Sequence, residues 1–159
     1  MLAVFVLIAA GVAALGSLVT VAQVDGWYSR APHVVWTPPN QIFGLVWTAL
    51  YLMIAVSGWL IWRHRADRGS SPALALFVAQ LAVNAFWAPV FFGGYPLVGG
   101  AALWVGMGII LLLDLLVIGT IAAAWPVSRA AALLLVPYLA WILYASTLNW
   151  GDAVLIGLL

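Results

Sequence analysis

The stretch Trp36-Thr-Pro-Pro-Asn-Gln-Ile-Phe-Gly-Leu-Val-Trp-Thr-Ala-Leu-Tyr51 leads from the most polar part of the first half of the chain into a long apolar run. Pro38 and Pro39 hold φ near the helical value and donate no backbone N–H, which suits the rigid beginning of a helix. Trp47 and Tyr51 follow four residues apart and share one face of that helix. The stretch therefore predicts a stiff collar that fixes two large aromatic side chains with polar tips.

The composition around this stretch is that of an integral membrane protein. The 159 residues are 67% hydrophobic and 6% charged, with five arginines and four aspartates but no lysine or glutamate. A soluble domain has about 25% charged residues. The apolar runs are continuous, unlike the alternating ten-residue segments of an outer-membrane barrel. We therefore predict an all-α membrane protein, built as a five-transmembrane-helix bundle.

Five apolar segments are long enough to cross a bilayer, which takes roughly 20 residues each. Their predicted bounds are residues 2–22, 42–62, 73–92, 97–124 and 130–150. The first segment lacks the basic n-region of a signal peptide and is too long for its apolar core, so we predict a retained helix. The spans leave no room for a soluble domain, and residues 1–159 are expected to form one transmembrane domain.

Arginine placement predicts the orientation. Arg63, Arg65, Arg68 and Arg129 fall in the second and fourth loops, on the side of the N-terminus, and Arg30 alone lies in the first loop. The positive-inside rule then places the N-terminus in the cytoplasm and the first loop outside. The predicted location is the inner (plasma) membrane of a bacterium, with lipid as a partner. The net charge of +1 provides no basic patch for a nucleic acid.

Several polar and aromatic residues are candidates for a site. Trp47, Trp87 and Trp141 lie too deep for an interfacial belt, and helix contacts usually favour small residues, so a cavity for a flat ligand fits them slightly better. Asn84 and Asp114 lie at similar depth. A buried polar group in a membrane helix is a functional candidate, but a structural hydrogen bond between the third and fourth helices is the favoured interpretation here.

The first loop adds two candidates, while catalytic constellations are missing. Arg30 could pair with a ligand carboxylate such as a porphyrin propionate. His33 could ligate iron, although ordinary loop polarity is the better interpretation. The sequence has no catalytic triad, no paired carboxylates on one helix face, no histidine cluster and no phosphate-binding glycine loop, and we expect no metal site.

Taken in order, the motifs resemble one family, TspO/MBR, the tryptophan-rich sensory proteins and translocator proteins. The matching residues are Trp27-Tyr28, Trp36-Thr37-Pro38-Pro39, Val46-Trp47-Thr48-Ala49-Leu50-Tyr51, Gln80-Leu81-Ala82-Val83-Asn84, Trp87, Pro89-Val90-Phe91-Phe92-Gly93, Leu113-Asp114-Leu115-Leu116, Pro137-Tyr138-Leu139-Ala140-Trp141 and Leu148-Asn149. The chain departs from the family pattern at Ala31, His33 and Val34, where Leu, Lys and Pro are usual. No basic residue follows Tyr144, so we do not expect sterol recognition by that motif.

The resemblance implies a five-helix bundle, often dimeric, with a pocket beneath the first loop that takes porphyrin or haem as ligand; no cofactor is expected to be required. The residues expected to bind the ligand are Arg30, Trp36, Trp47, Tyr51, Asn84, Trp87, Tyr138, Trp141, Ala145 and Leu148. Small residues at Ala75, Ala79 and Ala82 offer a face for a homodimer.

Three functions follow as hypotheses. The first is a membrane receptor or carrier for tetrapyrroles with a regulatory or stress-sensing role. The second is an enzyme that breaks down porphyrin in light, in which Trp47 and Trp141 would be the catalytic residues, as the resemblance implies. The third is a structural membrane protein that binds partners but no small ligand.

Overall fold

The protein is a bundle of helices that run back and forth across a membrane. The computed structural model describes residues 1–157, so the last two residues of the predicted domain lie outside the described part. The helices are α1 (Leu2–Val24), α2 (Asn40–Arg63), α3 (Ser70–Ala88), α4 (Gly94–Val98), α5 (Gly100–Ala124) and α6 (Arg129–Gly157). A π-helical turn, Pro89–Gly93, joins α3 to α4. Within residues 1–157 the chain forms no strand, and five spans are long and apolar enough to cross a membrane. The prediction of an all-α, five-span membrane protein is confirmed.

The bounds of the third, fourth and fifth spans differ from those predicted. The third span does not end at Phe92 but continues through the π-helical turn to Val98. The chain breaks only at Gly99, whose φ of +62° lies in the left-handed region that favours glycine. The fourth span therefore begins at Gly100 rather than at residue 97. The fifth span continues beyond residue 150, and this places Asp152 inside a helix.

The end of the bundle opposite the first loop, which carries the second and fourth loops, contains a buried apolar core. Ile54, Ile61, Phe77 and Leu135 are almost completely buried there. Gly58 lies against Phe77 and the ring of Phe5, where even a Cβ atom would collide. The missing side chain thus lets α1, α2 and α3 approach each other closely.

Helix α1 is the most peripheral span, and its small side chains leave space at the other end. Ala9 is its only buried residue within the described range. Along the face that looks into the bundle, Ala13, Gly16 and Ser17 fill little volume. Gly16 lies close to Ala88 of α3, with 3.7 Å between Ala88 Cβ and the position of an added Cβ. The resulting space lies beneath the first loop.

Candidate ligand-binding cavity

A cavity of about 500 Å³ occupies the half of the bundle beneath the first loop, and α1, α2, α3, α5 and α6 all contribute to its wall. The volume falls in the range of small-molecule and cofactor sites. Small residues of α1 form one side. The indoles of Trp47, Trp87 and Trp141 form much of the rest. The volume and the aromatic wall suit a large and mostly apolar ligand.

Seven of the ten predicted ligand-binding residues line this cavity. They are Trp47, Tyr51, Asn84, Trp87, Trp141, Ala145 and Leu148. Tyr138 is completely buried and lies behind the wall, hydrogen-bonded to Asn84. Trp36 and Arg30 are exposed and do not line the cavity. The geometry therefore brings together the residues of the helices but not the two from the first loop.

Asn84 holds two tyrosines in place. The hydroxyl of Tyr51 donates to Asn84 Oδ1 at 2.7 Å, and Asn84 Nδ2 donates to the Tyr138 hydroxyl at 2.8 Å. This bridge connects α2, α3 and α6. The ring of Trp47 stacks on Tyr51 with centroids 5.3 Å apart. The bridge thereby also fixes the orientation of the stacked aromatic pair.

A second bridge orients Trp87. Its Nε1 donates to Asn149 Oδ1 at 3.1 Å, and Asn149 Nδ2 donates to the Leu103 carbonyl at 2.9 Å. Trp87 also stacks on Phe91 with ring centroids 5.2 Å apart. The Trp87 indole N–H and the Asn149 amide therefore both have hydrogen-bond partners within the protein.

Trp141 differs from Trp87 because its indole nitrogen is buried without a hydrogen-bond partner among residues 1–157. Other side chains with such unpartnered atoms are Thr37, Gln80 and Asp114, and none of these three lines the cavity. A buried unpaired donor is unfavourable unless something satisfies it. Trp141 Nε1 is therefore a buried donor that no acceptor atom among residues 1–157 satisfies.

The predicted hydrogen bond between the third and fourth spans, through Asn84 and Asp114, is wrong, because each residue bonds to other partners. Asn84 bonds to the two tyrosines, whereas Asp114 Oδ2 accepts from Ser146 Oγ at 2.8 Å. Asp114 consequently joins the fourth span to the fifth, because its side chain faces α6 and not α3. Sequence depth alone placed the two polar residues at one level but could not give the direction of their side chains.

The first loop, residues 25–39, is called the lid below, and a polar contact ties it to the end of α6. His33 Nδ1 lies 3.1 Å from Asp152 Oδ1, and His33 Nε2 lies 2.7 Å from the carbonyl oxygen of Tyr28. The carbonyl can only accept, so Nε2 carries a proton and donates it. Asp152 is 1% exposed and lines the cavity. Sequence reasoning missed Asp152, because the fifth span was ended before it.

Burial and the neighbouring Asp152 carboxylate raise the pKa of Tyr28 well above its ordinary value. Tyr28 lies in the lid, lines the outer part of the cavity and packs its ring 4.2 Å from that of His33, measured between centroids. Its hydroxyl therefore keeps its proton throughout the physiological pH range. The polar end of the cavity wall thus includes the Tyr28 phenol and the Asp152 carboxyl group, while the His33 imidazole contacts both residues from outside the wall.

Further contacts dock the lid on one face of α6. Val34 packs against Gly151, where no side chain would fit between them. The Tyr144 hydroxyl donates to the carbonyl oxygen of Trp36 at 2.6 Å, and Trp36 Nε1 donates to Thr147 Oγ1 at 3.3 Å. Residues 144, 147 and 151 are spaced three and four apart and so share this face. Two departures from the family pattern, His33 and Val34, therefore meet neighbouring residues of α6.

The other side of the lid rests on the third span. Trp27 Nε1 donates to the Phe92 carbonyl at 3.0 Å, and its ring stacks on Tyr95 with centroids 3.9 Å apart. Pro89 introduces the π-helical turn that contains Phe92. The lid thus bridges the third and fifth spans above the cavity.

Within residues 1–157, no three His or Asp side chains form a group that could hold a metal ion. The groups that line the cavity are mostly aromatic and aliphatic, with carboxylates at its outer end. The chemistry that the wall supports is binding of a flat ring system, with indoles placed next to it.

A five-span helical bundle with an aromatic cavity beneath a docked loop defines a class of integral membrane proteins. Comparison with known proteins gives the family within this class. The model of the TspO/MBR family matches residues 3–154, and the chain belongs to this family. The resemblance that the motifs predicted is confirmed.

Relatives occur in archaea, bacteria and animals. The chain is 39% identical over 137 residues to the tryptophan-rich protein TspO of Archaeoglobus fulgidus, covering 86% of this chain and 84% of that one. It is 33% identical over 144 residues to protein CrtK of Rhodobacter capsulatus, covering 87% and 84%. It is 37% identical over 137 residues to the human translocator protein, covering 79% and 74%.

Proposed function

We propose that this protein binds porphyrin or haem-type tetrapyrroles in the cavity beneath the lid, as a membrane receptor or carrier with a regulatory or stress-sensing role. The observation that carries the proposal is the wall formed by Trp47, Trp87 and Trp141 around a space of about 500 Å³. A tetrapyrrole is large, flat and aromatic, and stacking against indoles is favourable for such a ring.

The comparisons support a role of this kind without naming the ligand. One relative at 35% identity is called a tryptophan-rich sensory protein, and others are called translocator proteins. The family resemblance stated above implies porphyrins and haem as ligands. The free indole nitrogen of Trp141 supplies a donor for an acceptor atom at the edge of such a ligand.

The test is a titration of the purified protein with protoporphyrin IX, followed by tryptophan fluorescence. Three cavity indoles lie close enough to be quenched by a bound porphyrin, so we expect saturable quenching at one ligand per chain. A matched control replaces Trp125, an exposed indole at the opposite end of the bundle. Trp125→Phe should lower the total fluorescence but leave the quenching curve unchanged. Quenching that rises linearly without saturation would leave a structural membrane protein as the better interpretation.

A second candidate function is light-dependent porphyrin breakdown, favoured by the position of two oxidisable indoles, Trp47 and Trp141, in the same wall. Illuminating the complex while following the Soret band separates binding from breakdown. Loss of porphyrin at the free-solution rate indicates a binder only. If loss is accelerated, Trp47→Phe or Trp141→Phe should slow it, and Trp125→Phe should not.

The proposed location is the inner membrane of a bacterium, with the N-terminus in the cytoplasm. The chain has no cysteine, so single cysteines report topology without background. With this orientation, a thiol reagent that does not cross the membrane labels Pro32→Cys in intact cells and does not label Ala66→Cys. The reverse pattern would invert the topology.

A homodimer through the small face at Ala75, Ala79 and Ala82 is also proposed, and cross-linking through Ala75→Cys tests it.

A further inference from the structure

We propose that the cavity selects its ligands by charge: it takes tetrapyrroles whose inserted edge is uncharged or cationic and disfavours free carboxylates, with Asp152 as the specificity-determining residue. This inference rests on the proposed tetrapyrrole function and adds the chemical class of the ligand.

The first support is the sign of the charges around the cavity. Asp25 and Asp152 line it, and within residues 1–157 no arginine or histidine does. Four of the five arginines lie in or beside the second and fourth loops, at the opposite end of the bundle, and lysine is absent from the chain. Arg30 is exposed on the lid and is not part of the wall. A carboxylate that enters the cavity therefore meets no positive side chain.

The second support is that both ring nitrogens of His33, the nearest side chain that could carry a positive charge, already have partners in the protein. His33 Nε2 is used by the Tyr28 carbonyl at 2.7 Å, and His33 Nδ1 faces Asp152 at 3.1 Å. The imidazole has only two nitrogens, so it has no N–H left for a ligand. Whichever of the pair holds the shared proton, the carboxyl group of Asp152 and not the imidazole belongs to the cavity wall.

The third support is the fixed position of Asp152. Its side chain is 1% exposed, is held by the lid from one side, and lies on α6 one helical turn after Leu148 and Asn149 of the same wall. An uncompensated charge in such an environment is strongly unfavourable, whereas a ligand N–H or cation gains an acceptor. A dicarboxylate porphyrin must then keep its propionates outside the cavity or bind weakly.

The experiment compares three ligands that share one ring: protoporphyrin IX, its dimethyl ester, and its bis(2-aminoethyl) amide. Their side-chain charges at neutral pH are about −2, 0 and +2. Dissociation constants are measured by fluorescence quenching of the purified protein in one neutral detergent. We expect the ester to bind about tenfold more tightly than the free acid, and the diamine amide at least as tightly as the ester. The amide is more polar than the ester, so its tight binding would separate charge from simple hydrophobicity.

The matched variants are Asp152→Asn and Asp67→Asn, each of which replaces one carboxyl group by an amide. Asp67 is exposed in the second loop, far from the cavity. In Asp152→Asn, the advantage of the diamine amide over the free acid should fall about tenfold, and in Asp67→Asn it should stay as in the unmodified protein. If Asp152→Asn does not fold, Asp152→Ser serves in its place, because it removes the same carboxyl group from the same position.

The outcomes distinguish the inference from the function on which it rests. Equal affinities for the three porphyrins, or tightest binding of the free acid, overturn the charge selection and leave tetrapyrrole binding intact. An unchanged ratio in Asp152→Asn overturns the role of that residue. If none of the three ligands binds saturably, the proposed function itself fails and the inference falls with it.

Discussion

Tyr51 and Tyr138 lie on different helices, yet the hydroxyls of both are bonded to the single amide of Asn84, at 2.7 and 2.8 Å. Tyr51 faces the cavity, and Tyr138 is completely buried behind it. One amide thus uses its acceptor and its donor to connect the wall of the cavity with the core of the bundle. This explains why a polar residue can lie inside an apolar helix.

Replacement of Asn84 by alanine should destabilise the protein by about 1–3 kcal/mol, because two buried hydroxyls lose their partner. Tyr51→Phe removes only one of the two bonds and should cost less. The free energy of unfolding in mixed detergent measures both. Equal stability of Asn84→Ala and the unmodified protein would show that the tyrosines find other partners.

Replacement of His33 by alanine should loosen the lid. The lid would lose the contact to Asp152 and the bond within its own turn, and local opening becomes easier when such bonds are removed. Amide hydrogen exchange in residues 25–39 should accelerate about tenfold, which corresponds to the loss of roughly one buried hydrogen bond. His64→Ala is the matched control, because the His64 imidazole is hydrogen-bonded to the carbonyl of Leu60, at the end of the bundle opposite the lid. If amide hydrogen exchange in the lid rose equally in both variants, the His33 contacts would not be what holds the lid in place.

Replacement of Gly151 by alanine should displace the lid without removing any polar group. The new methyl group would overlap with Val34, and overpacking of this kind costs about 1–3 kcal/mol. Gly108→Ala is the control, since nothing lies within 4 Å of its added Cβ, and it should stabilise α5 by up to about 1 kcal/mol. Thermal unfolding together with limited proteolysis of the lid measures the two effects. A lid that stays equally protected in Gly151→Ala would show that Val34 moves aside freely.

Two indoles of the cavity wall should respond differently to phenylalanine. Trp87→Phe leaves Asn149 without its donor and should lower stability by about 1 kcal/mol or more. Trp141→Phe removes an N–H that has no partner among the described residues, so its stability cost should be smaller. Porphyrin affinity should nevertheless fall in Trp141→Phe, because the free donor is lost. Unfolding and fluorescence titration on the same two variants separate stability from binding.

The fold could be predicted from the sequence because membrane spans are long and strongly apolar. The predicted ends of the spans were wrong where the local backbone geometry decides whether a helix stops or continues. The third span was predicted to end at Phe92, but the helix continues through a π-helical turn that ends at Gly93 and breaks only at Gly99. No hydropathy pattern distinguishes these glycines, because the difference is one of φ and not of side chain.

The cavity could be predicted in part. Positions on helices follow from periodicity, and the seven helical residues that line the wall were found in this way or by the resemblance. The side-chain directions in the lid could not be predicted in this way, because a loop has no regular repeat along its sequence. Trp36 was expected in the cavity, but its indole is exposed and donates to Thr147. Asp152 was not predicted, because its partner His33 lies 119 positions away in the sequence. Such contacts depend on the packing of the whole bundle.

The docking of the lid on α6 has a thermodynamic consequence. One face of this helix lines the cavity with Trp141, Ala145 and Leu148, and the neighbouring face carries the lid contacts at Tyr144 and Gly151. In the proposed function, the docking of the lid and the binding of a ligand would both depend on the position of α6. Any coupling between them would be reciprocal, so a substitution that loosens the lid on α6 and weakens ligand binding would imply that the ligand in turn stabilises the docked lid.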